Sequence, residues 1–319
     1  MNADGRLAFQ LFEGFALSAV LSSLEIEGLL DRLAGTGRLV DDPAGGFPDA
    51  VLRYLVQRGI AEERGDGHAL TAFGECVRAD IGYLIWLSGG YGVPLRSAAS
   101  FVTGARAPGD HAGRDGRAVA VGSAVVGRGD LVPQAMELLG TVEPSRALDL
   151  GCGNAHLLMA VCERFGITGV GVDENAEACA EAGREVDARG LADRVGIVRA
   201  DAAEVGAVLD ADRFDLVIAF FLLHEILASG RDALVRYLRG LSRRLPASAH
   251  LLIAEVAPAE GAHSGPFAPE FTLVHSMMGQ TLLGRDEWFA VLAEGGFRVV
   301  REQDCAMPSG LLLLAGNAR

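Results

Sequence analysis

Apolar residues recur at spacings of three and four through residues 7–34. Leu7, Leu11, Phe12, Phe15, Val20, Leu21 and Leu24 form one stripe, and Ile26, Leu29, Leu30 and Leu33 a second. That period predicts helices, closed by the glycines of AGTG. PDAVLRYLVQRG (48–59) predicts another amphipathic helix, with Pro48 near its start and Gly59 as its stop. The pattern then shortens in IAEERGDGHALTAFGE to two strand-like pieces around the Gly-Asp-Gly turn 65–67. Helices followed by a small hairpin predict a winged-helix-like front domain. Residues 77–140 read as mostly helical with glycine breaks. Within them Tyr83, Trp86 and Tyr91 are expected to pack in a core, with the lining of a substrate pocket as the second reading.

From Arg146 the period changes again, to alternating strands and helices. RALDLGCGNAHLLMAVCERFG reads strand, glycine-rich turn, helix; TGVGVDEN is a second strand and AEACAEAGREVDARG its helix. RVGIVRAD, FDLVIAFFLLHE and AHLLIAEVA supply further strands, with DALVRYLRGLSRRL as a helix before the last of them. GRDEWFAVLAEGGF is the final helix, and FRVVRE and GLLLLAG are closing strands. Such alternation predicts an α/β, Rossmann-like doubly wound sheet that binds its ligand at the carboxyl ends of the strands. The expected division is a helical winged-helix-like dimerisation domain over residues 1–105 and the doubly wound catalytic domain over 106–319.

Charge narrows the function of the front domain. The net charge is −14, and all 28 basic residues are arginine. The helix that would read DNA offers Arg53 and Arg58 against Asp49, and the wing carries Glu62, Glu63 and Asp66. Phosphate contacts would be unfavourable there, so no nucleic-acid partner is expected. The apolar first helix is instead read as a homodimer interface. Without lysine, Schiff-base and pyridoxal-phosphate chemistry are excluded. No stretch reaches roughly 18–20 uninterrupted apolar residues, and MNADGRLAFQ lacks a basic leader, so a cytoplasmic protein without a membrane partner is expected. The five cysteines form no CxxC pair and read as reduced thiols.

The turn Asp149-Leu-Gly-Cys-Gly-Asn154 carries the clearest chemistry. Gly151 and Gly153 let the backbone approach a ligand closely, while His156 stands where a dinucleotide fingerprint wants Gly or Ala. Asp173 ends the second strand, 20 residues beyond Gly153, and Asp201 ends the third. Carboxylates at successive strand ends suit an adenosine with an amine and a sulfonium, and no phosphates. Through DLGCGN, VDEN and RADA the chain resembles the class I S-adenosylmethionine (SAM)-dependent methyltransferases. The resemblance implies Asp149, Gly151 and Gly153 around the methionyl end, Asp173 on the ribose, Asp201 with Ala202 near adenine, and Phe220 beside the cofactor. A SAM sensor without catalysis and a purely structural dimer module are the non-enzymatic alternatives, and the second would not need an intact SAM turn.

The acceptor side turns on two histidines. Phe220-Phe221-Leu222-Leu223-His224-Glu225 runs out of the fourth strand of this half, and His224 can deprotonate an acceptor as the methyl moves. Over nearly its full length the chain is similar to small-molecule O-methyltransferases, in which a His here serves as general base. FTLVHSMMG with DEW and EGGF, and the run HEIL (224–227), look instead like the 2-oxo acid C-methyltransferases of the phenylpyruvate and 2-ketoarginine type. That resemblance implies that His224 and His275 hold a divalent metal, iron or zinc, that stabilises an enolate. Glu225 is a candidate to complete the shell, orient a metal water or act as base. For an arginine to anchor a substrate carboxylate, Arg128 is the nearest candidate. C-methylation of a 2-oxo acid in natural-product biosynthesis is the leading expectation. Methylation of an aromatic carbon, or of oxygen or nitrogen, with His224 as base and no metal, stays open beside it.

Overall fold

The structure, a computed structural model, describes residues 6–41, 46–204, 213–259 and 266–319. The chain forms two compact units, residues 1–99 with 111–127, and residues 100–110 with 128–319. The expected break at 105–106 is therefore not a single crossing. Glycine explains why 116–126 returns to the first unit: helix Gly116–Val126 lies so close to the preceding segment that a Cβ on Gly122 would stand 2.6 Å from the Trp86 nitrogen. Segment 100–110 belongs to the second unit, where Gly109 N–H donates to the Met277 carbonyl at 2.9 Å.

In the first unit, helices Leu7–Ile26, Leu29–Thr36 and Phe47–Gln57 precede the hairpin of β1 (Ala61–Arg64) and β2 (Gly67–Leu70). Thr71 follows the hairpin and caps helix Ala72–Ala79, its hydroxyl accepting from Gly74 N–H at 2.9 Å. Leu30, Leu33, Leu52, Leu55, Ile60, Ile81 and Ile85 form the core. The first helix buries only Leu21 and Ser22, leaving Leu7, Leu11, Phe12 and Phe15 more than half exposed. Despite the polar residues that interrupt it, this helix is long and apolar enough to cross a membrane.

The second unit holds a seven-stranded sheet of β3 (Arg146–Leu150), β4 (Thr168–Asp173), β5 (Val195–Arg199), β6 (Leu216–Phe220), β7 (His250–Val256), β8 (Phe297–Gln303) and β9 (Gly310–Asn317). Their order is β5-β4-β3-β6-β7-β9-β8, with β9 antiparallel to both its neighbours and the other pairs parallel. The central strands β3, β6 and β7 are almost wholly buried, as expected where helices cover both faces of parallel strands. β3 and β6 lie side by side where the order reverses, so the crevice for a ligand opens at their carboxyl ends.

Candidate active site

The turn after β3 is held open by left-handed backbone. Gly151 has φ 71° and Gly153 φ 54°, and a Cβ at Gly153 would meet nothing within 4 Å, leaving room for a ligand rather than for packing. Gly151 and Cys152 both donate to the Val172 carbonyl, at 2.8 and 3.0 Å. Asp173 at the end of β4 fastens the turn from the other side: its carboxylate accepts from Gly153 N–H at 2.9 Å and from Asn175 N–H at 2.8 Å. Asp149 is buried at 4% exposure, and burial, reinforced by the charge of Asp173, pushes its carboxyl up to about 8. Asp201 is exposed and accepts from Ala203 N–H at 2.7 Å, while buried Ala202 offers its carbonyl to the Tyr237 hydroxyl at 3.1 Å. The sequence-predicted cofactor residues other than Phe220, which ends β6, thus gather at the ends of β3, β4 and β5.

β6 delivers the acceptor side to the same crevice. After Phe220 the chain turns at Phe221, whose φ of 55° is unusual for a bulky residue, and whose N–H donates to the Ala254 carbonyl at 2.9 Å. Leu222 then packs against the Gly151 position, joining the two halves of the crevice. His224 lies in the short helix Leu223–Leu227 and is buried. Its Nδ1 is 2.7 Å from Oε2 of Glu255, a carboxylate only 1% exposed near the end of β7. The other oxygen, Oε1, accepts from Leu223 N–H at 2.9 Å and His224 N–H at 3.3 Å. Burial lowers the basicity of His224, but the Glu255 charge and hydrogen bond, helped by the charge of Glu225, raise it above the ordinary imidazole value.

Glu255 escaped the sequence reading, which looked to Glu225. Glu225 is exposed and acts on His224 through its charge, whereas Glu255 makes the contact. One signal was available: an acid inside the apolar run LLIAEVA must be paired to be buried.

His275 arrives from helix Ala268–Met277. The Thr272 hydroxyl of that helix accepts from Ala259 N–H at 2.9 Å, tying it to the chain leaving β7. His224 and His275 stand with ring centroids 5.4 Å apart at 75°. Nδ1 of His275 donates to the Phe271 carbonyl at 2.8 Å, and the Phe271 ring stacks on the imidazole at 3.9 Å. Burial first, then the charge of His224, lowers His275 to about 4, against the pull of that carbonyl. Carbonyl and carboxylate accept only, so in both histidines the proton sits on Nδ1 and the lone pair on Nε2. Two buried imidazoles thereby present Nε2 lone pairs, and among the described residues no group of three or more His, Cys, Asp or Glu is placed to hold an ion. Arg128 sits in the short π-helical segment Gly127–Leu131, where its charge is felt by His156 at the start of helix His156–Phe165.

Fold and glycine turn together define a SAM-binding methyltransferase. The family described as Methyltransferase domain matches residues 147–246. The chain is 31% identical over 313 residues to 2-ketoarginine methyltransferase of Streptomyces arginensis, covering 92% of this chain and 88% of that one. It is 28% identical over 262 residues to indolepyruvate C-methyltransferase of Streptomyces griseus, covering 81% and 77%. The SAH-bound structure of CalO1, a methyltransferase in calicheamicin biosynthesis, superposes with a TM-score of 0.64 at 21% identity, covering 100% of both chains. The chain belongs to the class I SAM-dependent methyltransferases, in the family that includes 2-ketoarginine methyltransferase.

Proposed function

We propose that this enzyme moves the SAM methyl group to the β-carbon of a 2-oxo acid in the biosynthesis of a small natural product. The observation that carries the reading is the buried pairing of His224 with His275. Transfer to an oxygen needs one base, and burying a second imidazole costs free energy that a one-base reaction does not use. Transfer to carbon requires an enolate, and a pair of Nε2 lone pairs suits its stabilisation. The two relatives named for 2-ketoarginine and indolepyruvate support the same acceptor class.

In this reading Asp149 meets the cofactor's ammonium beside Gly151 and Gly153, Asp173 the ribose, Asp201 and Ala202 the adenine, and Phe220 lies alongside. The β-carbon loses its proton, the resulting carbanion takes the methyl from the sulfonium, and the cofactor leaves as a neutral thioether. His224 and His275 are the residues that would hold a divalent ion, each through Nε2, with Glu255 and the Phe271 carbonyl orienting the rings from behind as outer partners. Such an ion supplies charge that stabilises the enolate oxygen and acidifies the neighbouring carbon.

A lone pair at His224 Nε2 cannot hold an ion and take a proton at once. With an ion there, Glu225 is the nearby carboxylate for the proton. Without one, His224 is the base, backed by Glu255, and phenol or indole rings become the leading acceptors. The buried Glu255–His224 pair is the observation that favours this second reading. Elemental analysis of the wild type beside His224→Ala and His275→Ala separates the two. Near-stoichiometric iron or zinc lost in both variants supports the chelated enolate. No metal after anaerobic reconstitution with either ion removes it.

A further inference from the structure

The adenine end of the cofactor site is braced from behind by a residue outside every motif of the sequence. The chain leaves β5 after Arg199, and Ala200 N–H donates to the Asp173 carbonyl at 3.0 Å. The peptide joining Ala202 to Ala203 is then held at both ends. Its N–H, on Ala203, donates to Asp201 Oδ1 at 2.7 Å, and its carbonyl, on Ala202, accepts from the Tyr237 hydroxyl at 3.1 Å. A trans peptide is planar, so its N–H and C=O point in opposite directions and turn together. Tyr237 and Asp201 therefore grip one rigid plate from its two sides. With Oδ1 engaged by Ala203 N–H, Oδ2 is the oxygen left to meet a ligand amine.

The two ends of the plate differ in their surroundings. Asp201 and Ala203 are exposed, whereas Ala202 is buried. Tyr237 comes from helix Arg231–Arg244, whose Leu234, Leu238 and Leu241 lie in the core shared with the sheet, and its ring packs against that core. Burial first, then the charge of Asp201, raises the acidity constant of its hydroxyl, which stays a donor. A phenylalanine would fill the same space. What the hydroxyl adds is direction, carried from a rigid helix to an exposed carboxylate along hydrogen bonds that polarise one another.

We propose that Tyr237 is a positioning residue for cofactor recognition: through the Ala202–Ala203 peptide, its hydroxyl fixes the angle at which Asp201 meets the amine of adenine. The proposal rests on the reading of Asp201 and Ala202 as the adenine contacts and adds the group that aims them.

Two ligands that differ at that amine test it. SAH and S-inosylhomocysteine share the homocysteine and the ribose, but hypoxanthine carries an oxygen where adenine carries the amine. Binding of each to the wild type, Tyr237→Phe, Asp201→Asn and the double variant is measured by calorimetry. The wild type should favour SAH about 10- to 100-fold, the range of a hydrogen bond to a charged group. Tyr237→Phe should shrink that preference about fivefold, the size of one net hydrogen bond, by weakening SAH alone. Asp201→Asn should shrink it further, and adding Tyr237→Phe to it should leave the ratio where it is, because the two residues act through one peptide. A Tyr237→Phe variant that weakens both ligands equally, or neither, makes the tyrosine structural alone; that result overturns the proposal and leaves the adenine reading standing. A wild type that binds both ligands alike overturns the adenine reading and the proposal with it.

Discussion

Glu255 is where a single residue decides the chemistry. It orients His224, raises its basicity and caps the backbone of the helix that carries it. Glu255→Gln keeps the shape and removes the charge, so the rate should fall about 10- to 100-fold. If His224 is the base, the acidic limb of the pH–rate profile should also move down, because the carboxylate is what raises this imidazole. Glu255→Ala additionally strands two buried N–H groups and should destabilise the fold by about 2–4 kcal/mol, read by denaturant unfolding. A Gln variant with an unchanged rate and profile would show that Glu255 is structural alone.

Asp149 gives a second test at this scale. Its carboxyl is raised from 3.8 to about 8, so it is protonated at pH 7 in the ligand-free enzyme. The folded state binds this proton more tightly than the unfolded chain. The contribution therefore favours folding below about pH 4 and erodes as pH climbs towards about 8. A cofactor ammonium reverses the preference, so binding of SAH at pH 7 should release roughly one proton. Calorimetry in buffers of different ionisation heat detects it, and Asp149→Asn should abolish it. Buffer-independent heats in the wild type would contradict the assignment. Asp149, Asp173 and the glycines were legible because their spacing is local to one strand–turn–helix unit. Glu255 was not, because only the alignment of β7 beside β6, with Ala254 opposite Phe220, brings it to His224.

Among the elements, every strand from Arg146 onward lies where the alternation of apolar runs and turns placed it. The position of β9, reversed between β7 and β8, was not readable, since nothing in the local pattern of either closing strand marks its direction. The grouping of residues 111–127 with the first unit was not readable for a similar reason. Helix Gly116–Val126 is assigned by what it packs on, and its glycines signal close approach only once the neighbour is known. A Cβ at Gly122 would stand 2.8 Å from the Gly82 carbonyl and 2.6 Å from the Trp86 nitrogen, both rigid backbone atoms. Gly122→Ala should therefore cost about 1–3 kcal/mol, visible as a lower melting temperature. Gly183→Ala, in an open helix position with nothing within 4 Å, is the control and should be neutral or slightly stabilising. Equal melting of the two variants would contradict the close packing.

On the scale of the whole molecule, the first helix leaves Leu7, Leu11, Phe12 and Phe15 more than half exposed, an apolar face of the kind that marks an interaction surface. We propose that a second copy covers it. Light scattering should then give a dimer mass, and Leu11→Glu with Phe12→Glu should give a monomer. A monomeric wild type would remove the proposal, and recovery of the wild type only with detergent or lipid would favour a membrane surface instead.

The fate of the methyl group tests the enzyme's proposed reaction most directly. Turnover with SAM carrying a ¹³C-methyl group and phenylpyruvate, followed by carbon and proton NMR of the product, reads the new bond. A labelled methyl coupled to a single hydrogen on the β-carbon, absent with His224→Ala, is the expected result. A labelled methoxy signal, or a labelled methyl on a phenol or indole ring with every 2-oxo acid inert, would contradict it.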